Sequence, residues 1–195
     1  MQQTRQTGNP ARWLVGGRLL VSLLVIGSAV LRADAAVAQS NTAAQGRGPS
    51  GLPLPRFVSL KVSPVNLRVG PGVRYATSWV LRRAGMPLEV LREYDAWRQV
   101  RDAEGTTGWV LGSFLSGRRT AAVQPWNVKA NTARPIIDLR ASRSSTSRVV
   151  ARIEAGTVVD IESCDGSWCN LWINDYSGFI RQTDLWGVYP GETVR

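Results

Sequence analysis

Read for its apolar and polar positions, the chain falls into three stretches. An apolar run covers Leu19 to Leu31, and the segment from Gln39 to Pro55 (QSNTAAQGRGPSGLPLP) has few core-forming residues. From Arg56 onward, short runs of Val, Leu and Ile alternate imperfectly with polar residues, and Gly, Asp or Asn interrupts them repeatedly. Runs of this kind predict strands: Pro87 to Arg92 (PLEVLR) and Thr157 to Glu162 (TVVDIE) are two of them. Each leads into an Asp-containing turn, Tyr94-Asp95-Ala96 or Asp165-Gly166-Ser167, and a large aromatic, Trp97 or Trp168, opens the returning strand. Second hairpins follow, with tips at Ala103-Glu104-Gly105 and Asn174-Asp175-Tyr176. No segment beyond the first apolar run carries a sustained helical stripe with caps. Several short strands and frequent turns in about 60 residues predict a small barrel or sandwich.

The pattern occurs twice, at a spacing of roughly 71 residues. Asn66-Leu67-Arg68 answers Asp138-Leu139-Arg140, Gly85 answers Gly156, and Trp97 answers Trp168. Gly108-Trp109-Val110 likewise answers Gly178-Phe179-Ile180. A domain of this size is marginal, because it buries only about 60% of its unfolded surface. Large aromatics offer a remedy, each burying 150–250 Å², or roughly 4–6 kcal/mol before entropy. Trp109 and Phe179, each set between a Gly and an aliphatic residue, are therefore expected in the two cores.

The first stretch reads as a targeting segment. Arg5, Arg12 and Arg18 give a positive start, the apolar run follows, and Ala36-Val37-Ala38 supplies small residues for a signal peptidase. As a helix the run would rise only about 20 Å, short of a hydrocarbon core of about 30 Å. The expectation is a signal peptide over residues 1–38, cleaved after Ala38, with Ala35 as the second possible cut. Residues 39–55 are expected as a flexible linker. A first domain then spans 56–118, a connection 119–130, and a second domain 131–189.

Charge and chemistry narrow the function. The net charge is +10, and the excess is nearly all Arg, with Lys61 and Lys129 the two lysines. Such a chain is drawn to anionic surfaces, although export argues against nucleic acid as the partner. There is no histidine, which removes Ser-His-Asp and Cys-His catalysis and the commonest zinc ligand. No metal or cofactor is expected. Asp95, Asp102, Glu104, Asp165 and Asp175 fall at turns, where backbone geometry accounts for them, so no enzymatic activity is expected. Cys164 and Cys169, in a chain expected to be exported, are placed to face each other across a hairpin. Directly opposed strand residues lie within disulfide range, so the pair is expected to be bonded and structural.

The residues Val65-Asn66-Leu67-Arg68, Gly70-Pro71-Gly72, Gly85, Trp97 and Gly108-Trp109-Val110 resemble the bacterial SH3-like domain family of exported proteins. The second copy resembles it through Asp138-Leu139-Arg140, Gly156, the Asp165-Gly166-Ser167-Trp168-Cys169 turn and Gly178-Phe179-Ile180. It departs from the pattern at Ala141-Ser142-Arg143-Ser144-Ser145, where Gly-Pro-Gly is lost. The resemblance implies an all-β protein of two tandem small SH3-like barrels behind the signal peptide. It further implies a non-enzymatic binding or targeting module in the periplasm or outside the cell. The expected partner is cell-wall peptide or peptidoglycan. A structural module gripping another envelope protein through Trp126, Trp186 or the face between copies is the alternative. Tyr75, Trp79, Tyr94 and Trp97 in the first copy, and Trp168 and Trp172 in the second, are the candidate ligand-binding residues, because aromatic faces give rigid contact area beside carboxylate-pairing Arg.

Overall fold

The computed structural model describes residues 46–125 and 133–195. The expected signal peptide, both cleavage sites and Trp126 lie outside the described residues. Two short strands, β1 (Gly46–Arg47) and β2 (Pro53–Leu54), pair as a ribbon. The first copy then contains β3 (Arg56–Leu60), β4 (Val65–Arg68), β5 (Thr77–Leu81), β6 (Pro87–Tyr94), β7 (Trp97–Arg101), β8 (Thr107–Leu111) and β9 (Leu115–Ser116). The second contains β10 (Thr120–Val123), β11 (Ile136–Arg140), β12 (Val149–Glu154), β13 (Val158–Asp165), β14 (Trp168–Ile173), β15 (Tyr176–Arg181) and β16 (Leu185–Trp186). A last strand, β17 (Thr193–Val194), pairs with β13.

The two sheets repeat the same order: β5-β4-β8-β7-β6-β3-β9 and β12-β11-β15-β14-β13-β10-β16. Register irregularities recur at matching places, Leu67/Arg68 with Leu139/Arg140 and Val90/Arg92 with Ile161/Ser163. Each copy also makes one 3-10 turn, Gly112–Phe114 or Gln182–Asp184, before its last strand. Gly85 and Gly156 sit at φ +79 and +84, a conformation that favours glycine, in the turns that open β6 and β13. The all-β, twice-repeated architecture is thus present. The hydrogen-bonded paths stay open, however, since no ladder joins β5 to β9 or β12 to β16 among the described residues.

The cores correct the expectation of buried tryptophan. The first is aliphatic: Val58, Leu60, Val65, Leu67, Leu81, Leu88, Val90, Val100 and Val110. The second is built likewise around Leu139, Ile153, Val159, Leu171, Ile180 and Leu185. Trp109 and Phe179 are only partly buried. Alternation along the strand explains this: Gly108 and Val110 face inward in β8, so Trp109 points to the other side. Gly178, Phe179 and Ile180 repeat the arrangement in β15. Gly108 is demanded by the close pairing of β8 with β4, where a Cβ would lie 2.4 Å from Leu67 Cγ and 3.0 Å from the Arg68 carbonyl oxygen. At Gly178 a Cβ would lie 2.7 Å from the Arg140 carbonyl oxygen and 2.9 Å from Leu139 Cγ.

Cys164 and Cys169 are directly paired across β13 and β14 and form the expected disulfide, with Cα atoms 4.1 Å apart. Both are buried in the second core.

Three expected boundaries shift. The segment 119–130 is not wholly a connection, because Thr120–Val123 is the strand that joins β13 to β16. Its buried Ala121 and Val123 complete the second core, which short, small residues do not announce in the sequence. Only residues 117–119 therefore separate the copies. The second copy also runs past 189, through β17. At the other end, residues 46–55 of the expected linker form the ribbon, and Glu93 holds it. The Ser50 amide and hydroxyl both donate to the Glu93 carboxylate at 2.8 Å, and Arg56 and Arg98 pair with it at 2.7 and 3.1 Å.

Burial alone would raise the Glu93 carboxyl, but the Ser50 hydrogen bonds and Arg56 outweigh it and hold the group at about 2, below its ordinary 4.5. A depressed carboxyl stabilises the fold above its unfolded value, and that contribution disappears as pH falls through the folded value. Discounted for solvent screening, it is worth about 1–2 kcal/mol. The Ser50 amide resonance is expected to titrate with a midpoint near pH 2. A midpoint at the ordinary 4.5 would mean that the carboxylate is not held.

The two copies dock along a seam. The Phe57 ring meets Trp186 edge-on at 5.1 Å and Tyr189 at 4.7 Å. Beside them the Tyr189 hydroxyl donates to Glu89 Oε1 at 2.9 Å, and Arg101 Nε donates to Glu89 Oε2 at 2.9 Å. Burial and the Glu89 carboxylate push the Tyr189 hydroxyl well above the usual phenol range, so it remains a donor.

Candidate ligand-binding groove

The loop between β4 and β5 is shaped by one ring. A Cβ on Gly70 would lie 2.5 Å from Tyr75 Cδ1, and one on Gly72 would lie 3.3 Å from Tyr75 Cδ2. The Tyr75 side chain thus occupies the space where two side chains would otherwise begin, which accounts for both glycines of Gly70-Pro71-Gly72. Arg68 braces the loop by donating from Nη1 to the Tyr75 carbonyl at 2.7 Å. Opposite this loop stands the β6–β7 hairpin, in which Tyr94 pairs with Trp97 around Asp95, held at φ 50. Trp97 pairs in turn with Leu111 of β8.

Between loop and hairpin lies an open groove of about 900 Å³, lined by Pro71, Val73, Arg74, Tyr75, Tyr94, Trp97 and Leu111, with Gly72 at its edge. Tyr75 is 49% exposed and Tyr94 62%, so their faces are available to a ligand. The groove offers apolar and aromatic walls and one guanidinium, that of Arg74. Arrangements of this kind suit a peptide-like ligand with an aliphatic or ring portion and a carboxylate.

The second copy keeps the backbone and changes the chemistry. Its loop repeats the same turn bonds, Ala141 to Arg148 and Ser147 to Ser144, and Arg140 Nη1 donates to the Ser147 carbonyl at 2.8 Å. Ser147 stands where Tyr75 does, and its hydroxyl accepts from the Ser142 amide at 3.0 Å. With no ring to accommodate, serines replace the glycines. Asp165 replaces Tyr94 in the hairpin and accepts from the Trp168 and Ser167 amides at 2.8 and 2.9 Å, which hold its carboxyl below the usual range. Arg143 Nε reaches Asp165 at 3.0 Å and lies over the Phe179 ring at 4.9 Å. Arg181 covers Trp168 at 5.5 Å. What is an aromatic groove in the first copy is an ion-paired, polar surface in the second.

Of the sequence-predicted residues, the structure therefore brings Tyr75, Tyr94 and Trp97 together. Trp79 lies elsewhere, on β5, beside Arg82, Arg83, Met86, Asp102 and Glu104. Trp168 lies under Arg181 and borders the seam cavity that also contains Trp186 and Tyr189. Trp172 is on the exposed side of β14, its Nε1 donating to Glu162 Oε2 at 3.2 Å. Sequence reasoning missed Leu111, Val73 and Arg74 as lining residues. Only the pairing of Trp97 with Leu111 brings Leu111 to the groove, and that register was not readable.

Among the described residues, no group of three or more His, Cys, Asp or Glu side chains is placed to hold a metal ion, and no helix is long and apolar enough to cross a membrane. Comparison with curated proteins finds no match. Among solved structures, the chain is similar to NlpC2 from Trichomonas vaginalis at 11% identity and a TM-score of 0.28, covering 68% of this chain and 48% of that one. NlpC1 from the same organism gives 12% and 0.28, with 67% and 45% covered. An NlpC/P60 family protein from Bacillus cereus gives 14% and 0.27, with 66% and 55% covered. The chain spans about half the length of these structures. The family model described as Bacterial SH3 domain matches residues 61–117 and again 134–187, segments that carry β4 to β9 and β11 to β16. The chain belongs to the bacterial SH3 domain family, which it contains in two copies.

Proposed function

We propose that this protein is an exported, non-enzymatic recognition module that binds cell-wall peptide through the groove of its first copy. The observation that carries this reading is the convergence of Tyr75, Tyr94 and Trp97 with Arg74 around one open groove. Peptidoglycan stems present short aliphatic residues and carboxylates, which match aromatic walls and a guanidinium. The second copy, its equivalent surface closed by the Arg143–Asp165 pair, serves as a docked support. The signal-like residues 1–38 support action outside the cytoplasm.

Purified mature protein is expected to cosediment with isolated sacculi at low salt. Trp97→Ala is expected to weaken retention at least roughly tenfold, as truncation of a central aromatic anchor does. Trp168→Ala is expected to leave it nearly unchanged. Absence of wild-type retention would refute the cell-wall reading, and equal loss in both variants would refute the groove assignment. A second reading, contact with another envelope protein, is favoured by Trp79 and Trp172, which are 57% and 46% exposed away from the groove. Cross-linking that captures one protein through Trp79 while sacculi are ignored would support it.

A further inference from the structure

We propose that a cleft along the seam between the two copies is a binding site for a phosphate-type oxyanion, separate from the aromatic groove. The cleft, of about 350 Å³, is walled by Ser59, Leu60 and Lys61 from the first copy, by the turn at Arg83, and by Arg118, Thr120 and Asp160 on the other side. Three cations and one carboxylate line it, so two positive charges remain unneutralised. Arg118 pairs with Asp160. Arg83 spends one nitrogen on the Gly156 carbonyl, at 3.2 Å. Lys61 has no side-chain partner among the described residues.

An independent feature is found at Thr120. This residue is 2% exposed, and its hydroxyl has no hydrogen-bond partner. Buried hydroxyls are ordinarily satisfied, so one left open beside the cationic cleft marks a place for a missing partner, to which it can donate. The alternation of β10 explains its position: Ala121 and Val123 enter the second core, so Thr120 faces the seam.

The donors approach from several sides: Lys61 just after β3, the Arg83 turn, the short connection and β10. A tetrahedral oxyanion presents acceptors in all those directions, whereas a carboxylate presents two oxygens along one edge. The cleft has no aromatic wall. It would thus take a phosphate group with little apolar surround, and binding would tie the copies together, because donors come from both.

The test uses the chain from residue 39 onward with inorganic phosphate, against chloride at matched ionic strength. Saturating phosphate is expected to raise Tm by roughly 2–4 °C, an effect of linkage that nonspecific screening does not reproduce. Lys61→Gln with Arg83→Gln is expected to keep the wild-type Tm in chloride and lose the phosphate shift, and Thr120→Val to reduce it. If that double variant is destabilised in chloride, isothermal titration with phosphate below its Tm provides the same comparison. Glycerol phosphate and vesicles of phosphatidylglycerol distinguish the source: vesicle binding competed by phosphate assigns a lipid headgroup, and binding of the small phosphates alone assigns a free ligand. A shift no larger than that in chloride, or one undiminished in the double variant, overturns the proposal.

Discussion

Gly178→Ala is expected to destabilise the protein by about 2–3 kcal/mol, and Gly108→Ala by a similar amount, because each new methyl group enters space already filled. At Gly178 the obstruction is partly backbone: the Arg140 carbonyl oxygen stands 2.7 Å from the Cβ position, with Leu139 Cγ at 2.9 Å and Val150 Cγ2 at 3.0 Å. At Gly108 it is Leu67 Cγ at 2.4 Å, backed by the Arg68 carbonyl oxygen at 3.0 Å. Neither β8 nor β15 can retreat easily, since each is held on its other side by a full ladder, to β7 and β14 respectively. Gly117 supplies the control. It lies in the connection with nothing within 4 Å of its Cβ position, so Gly117→Ala is expected to change stability by no more than about 0.5 kcal/mol. Urea denaturation of the three variants measures the difference, and a Gly178→Ala as mild as Gly117→Ala would disprove the close approach.

The second large effect is expected at the seam. Glu89 is 3% exposed, and its charge is met by Arg101 on its own copy and by the Tyr189 hydroxyl from the other. Arg101→Met keeps much of the aliphatic stem and removes the cation, which leaves a buried carboxylate without its counter-ion. The expected cost is about 3 kcal/mol. Tyr189→Phe removes a hydrogen bond to a charged acceptor and is expected to cost about 1.5–3 kcal/mol. Combined with Glu89→Gln, Tyr189→Phe should cost much less than it does alone, because the two groups act on each other. Additive costs would mean that the bond between the copies contributes nothing to stability.

The parts of this architecture that depend on local pattern were legible in the sequence. Alternating apolar runs and Asp-containing turns located both β6–β7 and β13–β14, and the doubled anchors gave two copies of one topology. The disulfide followed from two cysteines flanking a short hairpin. The aromatic positions were misjudged for a reason specific to small sheets. A Gly-Trp-Val step reads as a buried aromatic between small neighbours, yet it is the glycine and the valine that face inward. Trp109 is left to the outer side.

The boundary at 119–130 failed because Thr120–Val123 (TAAV) carries no bulky residue, although all four of its residues are buried. Its inclusion in the second sheet is decided by pairing with β13 and β16, which are far away in sequence. The ribbon at 46–55 was invisible for a similar reason: Ser50 acquires its role from Glu93, 43 residues later. In the groove, the sequence named three aromatics that meet and three that do not. Composition shows that a residue can serve a ligand, while only the loop geometry around Tyr75 shows which ones share a surface.

Backbone amide and indole shifts of the chain from residue 39 onward, followed during titration with soluble stem-peptide fragments of peptidoglycan, address the central claim most directly. Changes concentrated at Pro71 to Tyr75, Tyr94, Trp97 and Leu111, with Ser142 to Ser147, Asp165 and Trp168 silent, are what this account requires. Proline itself lacks an amide, so Gly70 and Gly72 report for that turn. Perturbation centred on the second copy, or none anywhere at saturating fragment, would contradict it.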